Sequence, residues 1–148
     1  RRASYDLDHV VFAGATQKYA VDVAEKLLAQ TGWGHRGKAF FSDNGSTAVE
    51  VALKMAYLCW VRRGERQRTL FIGFENGYHG DTFGTMSIGR DPIFFGDMEP
   101  LLFRAKQVPV CANRLREVLQ EHSHETAGVI IEPLVQGASG MKMHTPKQ

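Results

Sequence analysis

Four positions have the residue types from which a site for a charged, flat ligand could be assembled: Gly45 and Ser46 in "SDNGS", Tyr78 in "ENGYHGDTFG", and Glu132 in "VIIEPL". Asp43, Asn44 and Ser46 are residue types that accept hydrogen bonds from the free amides of a first helical turn, so a helix is expected to start near Gly45. A helix N-terminus offers unpaired N–H groups and about half a positive charge, and a glycine there leaves room for a small anion. The same residues serve a plain N-cap equally well, and Asn44-Gly45-Ser46 also fits the N-glycosylation acceptor pattern. Taken alone, the turn leaves all three readings open.

In the second loop Gly77, Gly80 and Gly84 bracket Tyr78, His79 and Asp81, so the backbone can turn sharply and present large polar side chains toward one point. An aromatic ring held there could stack on a planar ligand; the alternative is a tight loop whose Tyr and His are merely half-buried. His79 and Asp81 would make a metal pair only with a further ligand, and none stands at recognisable spacing, so no metal is expected. Glu132 is followed by Pro133 and closes an apolar run, as a carboxylate at the carboxyl end of a strand or as an exposed loop acid. An anion cradle, a stacking aromatic and such a carboxylate would together suit a phosphorylated heteroaromatic cofactor. Spacing alone does not name it.

These positions need a frame. The run behind Gly45 has polar residues at Thr47, Glu50, Lys54 and Tyr57, a 3, 4, 3 spacing that makes one stripe on an otherwise apolar and therefore mostly buried helix, with Glu50 and Lys54 in favourable i, i+4 order. "TQKYAVDVAEKLLAQTG", residues 16–32, is an amphipathic helix behind a Thr16 cap, and "ANRLREVLQEH", residues 112–122, is another. "KAFFS", "RTLFIGFE" and "AGVIIEPL" are short β-rich runs with continuous hydrophobicity, expected as strands buried on both faces. Strands alternating with helices predict an α/β fold with a mainly parallel sheet and crossover helices, and in such sheets ligands gather at the carboxyl ends of the strands. All three candidate loops follow those ends.

At 148 residues, 43% hydrophobic and 23% charged, the chain has the composition of a folded globular domain. A net charge of +2 without a clustered basic face gives no electrostatic reason to invoke nucleic acid or a membrane surface, and "VRRGERQR" reads as a solvated loop. Cys59 and Cys111 show no paired framework, which fits reduced thiols. No apolar stretch reaches membrane-span length, and "RRASYDLDHVVF" lacks a signal-peptide layout.

"FFSDNGSTAVEVALKMA", "ENGYHGDTFGTMSIG", "FFGDMEPLLF" and "VIIEPLVQGASGM", in that order, closely resemble the class III, pyridoxal-phosphate-dependent aminotransferases. The resemblance runs from about Leu7 to Pro146. It implies that residues 1–148 are part of the large cofactor-binding domain of a fold-type I aminotransferase. It also implies that Gly45 and Ser46 bind the phosphate of pyridoxal 5'-phosphate, that Tyr78 stacks on the pyridine ring and borders the substrate, and that Glu132 lies near the ring's hydroxyl side. "GYHGDT" and "VQGASGM", where ornithine-type relatives tend toward "FHGRT" and "QGEGG", favour the branch of biotin synthesis. The implied reaction is amino transfer from S-adenosylmethionine to 8-amino-7-oxononanoate, in a homodimer of the cytoplasm, or of the mitochondrion in a eukaryote. The rivals are an ω-amino acid:pyruvate aminotransferase and a non-catalytic relative. By the same resemblance the Schiff-base lysine and the aspartate that pairs with the pyridine nitrogen are expected beyond Gln148, since Lys54 and Lys142 do not match that lysine. The chain by itself is therefore expected not to transaminate.

Overall fold

The computed structural model describes residues 12–145, so the N-terminal stretch read above for a signal peptide and the outer limits of the resemblance, Leu7 and Pro146, lie outside the described residues. The chain divides into two compact units, Arg1–Phe41 and Ser42–Gln148.

In the first unit α1 spans Lys18–Gln30 and a 3-10 turn follows at Gly34–Arg36. The expected Thr16 cap is not there. Gln17 is the N-cap and no side chain caps the helix, so the start is set one residue later than the residue types suggested. Gly37 is pressed against the helix: a Cβ there would lie 2.5 Å from Leu28 Cδ2. "KAFFS" is not a strand, because residues 38–42 have no ladder partner among the described residues. A β-rich composition favours extended backbone, but a strand also needs a neighbour to take its N–H and C=O groups.

The second unit contains α2 (Gly45–Arg62), β1 (Leu70–Phe74), α3 (Phe83–Gly89), α4 (Pro92–Phe95), a 3-10 turn (Gly96–Leu101), β2 (Ala105–Val108), α5 (Ala112–Glu121) and β3 (Thr126–Val129). A two-residue pair follows, β4 (Val135–Gln136) and β5 (Lys142–Met143). The sheet order is β2-β1-β3, all parallel, while β4 and β5 pair antiparallel. The structure is thus the expected α/β arrangement with crossover helices.

Alternation along the central strand β1 sorts the core into two layers. Phe71 points to α2 and α3 and clusters with Leu53, Ile88 and Ala127, whereas Ile72 and Phe74 point the other way and cluster with Val108 and Val118 of α5. Gly73 lies on the first of these faces, and its missing side chain admits Ile88: a Cβ would meet Ile88 Cγ2 at 2.6 Å. That contact seats α3, whose residues Gly84 to Gly89 are all buried. A seven-residue helix with two glycines does not form alone in water, so burial of side chains such as Ile88, about 1.5–3 kcal/mol each, must hold it.

Two expectations need correcting here. α2 is not mostly buried. Leu53 is its one buried residue among those described; one stripe meets the sheet, while Ala48, Ala52, Met55 and Cys59 on the other side are exposed. Apolar residues on every side of a helix record what it can bury, and here the sheet covers a single side. The third apolar run is likewise not buried throughout: Val129 at the end of β3 and Ile131 just beyond it are exposed, because β3 lies at one edge of the three-strand order.

Candidate functional site

The turn before α2 is both a cap and a set of free donors. Asn44 is the N-cap: its Oδ1 accepts from Thr47 N at 2.9 Å, Thr47 Oγ1 accepts from Asn44 N at 3.1 Å, and Ala48 N reaches Asn44 O at 3.0 Å. This capping box uses the third and fourth amides of the helix start and leaves those of Gly45 and Ser46, the first two, without a partner among the described residues. A Cβ at Gly45 would meet nothing within 4 Å, so the approach is open. Asn44 Oδ1 is committed to the cap.

The aromatic loop docks onto this turn through Gly80, not through Tyr78. Gly80 has φ +118, and a Cβ on it would fall 1.9 Å from Ser46 Oγ and 2.6 Å from Ser46 Cβ. Four residues further on, Gly84 N donates to Glu50 Oε1 at 2.6 Å, and a Cβ at Gly84 would lie 2.6 Å from both carboxylate oxygens. Ser46 and Glu50 are one turn apart on α2, so two glycines spaced by four meet two polar residues spaced by four. Glu50, read from sequence as the partner of Lys54, instead reaches the N-terminus of α3.

Glu132 joins the second loop to the third. Its Oε1 accepts from Tyr78 N at 2.9 Å and its Oε2 from Gly137 N at 3.0 Å. Each is a hydrogen bond to a charged acceptor, worth roughly 1.5–3 kcal/mol, against the roughly 1–2 kcal/mol that ordering one residue's backbone costs. The latch therefore suffices to order the backbone at Tyr78. Glu132 stands three residues beyond β3, which ends sooner than its apolar run. Gln136 and Ser139 add two further ties: Gln136 Nε2 donates to Glu75 O at 2.7 Å, and Ser139 Oγ to Asn76 O at 2.5 Å. Gln136 is 1% exposed and its Oε1 has no partner among the described residues.

Tyr78 is 39% exposed, and its hydroxyl donates to Asp81 Oδ1 at 2.9 Å. That hydrogen bond, then burial, raises the phenol above its ordinary value, so it stays protonated at neutral pH. Burial lowers the His79 imidazole, with the Glu132 charge pulling the other way, which keeps His79 neutral near pH 7. Tyr78 and Asp81 open onto a cavity of about 460 Å³ lined also by Met86, Phe95, Met98 and Ala138. Sequence reasoning missed Glu50, Gln136 and Ser139 as parts of this assembly. The matched four-residue spacing of Ser46 with Glu50 and of Gly80 with Gly84 was the one signal that could have pointed to Glu50.

A family profile described as Aminotransferase class-III matches residues 1–148. The chain belongs to this family. It is 40% identical over 154 residues to adenosylmethionine-8-amino-7-oxononanoate aminotransferase of Geobacter sulfurreducens, an alignment covering 91% of this chain and 34% of that protein. The crystal structure of the enzyme of that name from Methanocaldococcus jannaschii superposes with a TM-score of 0.89 at 33% identity, covering 98% of this chain and 34% of the other. An amine transaminase from an uncultivated Pseudomonas species, solved with pyridoxal phosphate bound, gives 0.78 at 30% identity over 90% of this chain and 34% of its own. This class-III aminotransferase chain thus spans about a third of the length of the relatives it matches.

The residues present fit the phosphate of that cofactor. Two amides without a partner among the described residues stand at the positive end of an 18-residue helix, with the Ser46 hydroxyl on its first turn and open space where a larger residue at position 45 would stand.

Proposed function

We propose that this chain is the cofactor-phosphate part of the large domain of a pyridoxal-phosphate-dependent aminotransferase. In the whole protein, a homodimer, the reaction moves an amino group from S-adenosylmethionine to 8-amino-7-oxononanoate and gives 7,8-diaminononanoate. The observation that carries the cofactor reading is the pair of amides at Gly45 and Ser46, without a partner among the described residues, with the Tyr78 loop packed beside them on the Ser46 side chain at Gly80. The names of the similar proteins from Geobacter and Methanocaldococcus support the choice of donor and acceptor.

Pyridoxal phosphate, when bound, supplies an aldehyde on an electron-withdrawing ring that accepts and returns the amino group. The Gly45 and Ser46 amides and the Ser46 hydroxyl would hold its phosphate, and the α2 dipole would favour the negative charge. Tyr78, its hydroxyl tied to Asp81, keeps one ring orientation and would cover the cofactor face, beside a cavity lined in part by Met86, Phe95 and Met98. Glu132 holds that tyrosine through its main-chain amide, and its carboxylate would serve the hydroxyl side of the cofactor ring.

The likeness to an amine transaminase at 30% identity favours a second reading, amino transfer between an ω-amine and pyruvate. Donor assays on the whole protein separate the two. Formation of 7,8-diaminononanoate with S-adenosylmethionine is the expected result, and turnover confined to ω-amines with pyruvate would replace the first reading by the second.

A further inference from the structure

α3 begins without a cap of its own. Thr82 stands at its N-cap position with no side-chain bond to the first-turn amides, because its hydroxyl is turned to that of Thr85 at 3.1 Å. The acceptor that reaches this helix start comes from a different element, Glu50 of α2, through Gly84 N. Between Glu50 and the phosphate turn lies a single helical turn, and between Gly84 and Tyr78 lie only the residues of the aromatic loop. Gly80 on Ser46 and Gly84 on Glu50 therefore fasten that loop at two points along the same helix that begins at the phosphate turn.

We propose that Glu50 is a positioning residue: its carboxylate caps α3 from outside and clamps the loop bearing Tyr78 and Asp81 to the helix whose first amides face the phosphate. The glycine at 84 is part of the device, since any side chain there would push the carboxylate away. The clamp itself is independent of the pyridoxal phosphate reading, and only its consequence for the cofactor rests on that reading. When the clamp opens, α3 loses the acceptor at its start and residues 80–84 loosen from α2; Asp81, to which the Tyr78 hydroxyl is tied, loosens with them, so that the ring loses its fixed orientation although Glu132 still holds the Tyr78 amide.

The test uses the whole protein in three forms: Glu50→Gln, which keeps the shape and a weaker acceptor, Glu50→Ala, and Gly84→Ala, which displaces the carboxylate while leaving it present. Hydrogen exchange is read without cofactor at the amides of residues 78–84 and, as an internal reference, of β1. Loss of a hydrogen bond to a charged acceptor predicts exchange at Gly84 roughly tenfold to a hundredfold faster in Glu50→Ala and Gly84→Ala, less in Glu50→Gln, with β1 unchanged. On adding pyridoxal phosphate, the visible circular dichroism of the bound ring should diminish in the same order. Unaltered exchange at Gly84 in Glu50→Ala overturns the proposal. So does exchange rising equally in β1 and the loop in Glu50→Gln, which would make the residue merely structural. Wild-type protein that takes up no pyridoxal phosphate would sink the cofactor reading and leave the exchange result to decide the clamp.

Discussion

Gly80→Ala is the most exacting perturbation of the site. The new Cβ would sit 1.9 Å from Ser46 Oγ, far inside any real contact, and the backbone at φ +118 lies where L side chains rarely go. Holding a non-glycine residue there costs on the order of 1–3 kcal/mol, and forcing the overlap roughly another 1–3. The native arrangement would then be disfavoured by about 2–6 kcal/mol, more than a loop segment can absorb, so the loop should leave the helix. Urea unfolding of the apoprotein measures the total, and a cycle with Ser46→Gly isolates the overlap: the double variant should recover roughly 1–3 kcal/mol while the φ strain remains. Titration with pyridoxal phosphate should show binding weakened roughly tenfold to a hundredfold in Gly80→Ala, the loss of one charged hydrogen bond. A Gly80→Ala protein within about 0.5 kcal/mol of wild type, or strictly additive effects in the cycle, would mean that the loop does not rest on Ser46.

Ser46→Ala should weaken pyridoxal phosphate by roughly 1.5–3 kcal/mol in a titration of the apoprotein, because a hydroxyl is lost while the helix amides remain. Tyr78→Phe should keep the cofactor but alter kcat or KM, since the ring face survives and only the hydroxyl bound to Asp81 disappears; steady-state kinetics equal to wild type would remove that hydroxyl from the mechanism. At the opposite ends of the strands, Arg104 and then His122 hold the Glu125 carboxyl down to about 2 from its ordinary 4.5. A depressed carboxylate contributes stability that is complete above pH 4.5 and is lost as the pH falls toward 2, so Glu125→Gln should flatten the dependence of the unfolding midpoint on pH in that window. An unchanged slope would show that Arg104 and Glu125 do not pair in solution.

The sequence by itself determined the features whose causes lie within one or two turns of chain. The start of α2 near Gly45, the amphipathic α1 and α5, and the central β1 are all carried by residues i to i+4 or by a run of β-formers. The order of the four quoted blocks was enough to indicate the family. What only the tertiary structure decided depends on partners far along the chain. The amide of Tyr78 meets Glu132 across 54 positions and that of Gly84 meets Glu50 across 34, and no local pattern records either meeting. Of α3 only Phe83 and Gly84 fall in the expected glycine loop and no periodicity marks residues 85–89 as helical, yet Gly84 lets the helix pack on Glu50 and nearly all its residues are buried. β2, with the mixed composition of Ala105–Val108, is a strand because the edge of β1 accepts it, while the more β-prone residues 38–42 are not, because no neighbour among the described residues pairs with them. Propensity and periodicity act on the chain locally, whereas pairing, capping from another element and close approach at glycine are settled only when the topology brings distant segments to the same few ångströms.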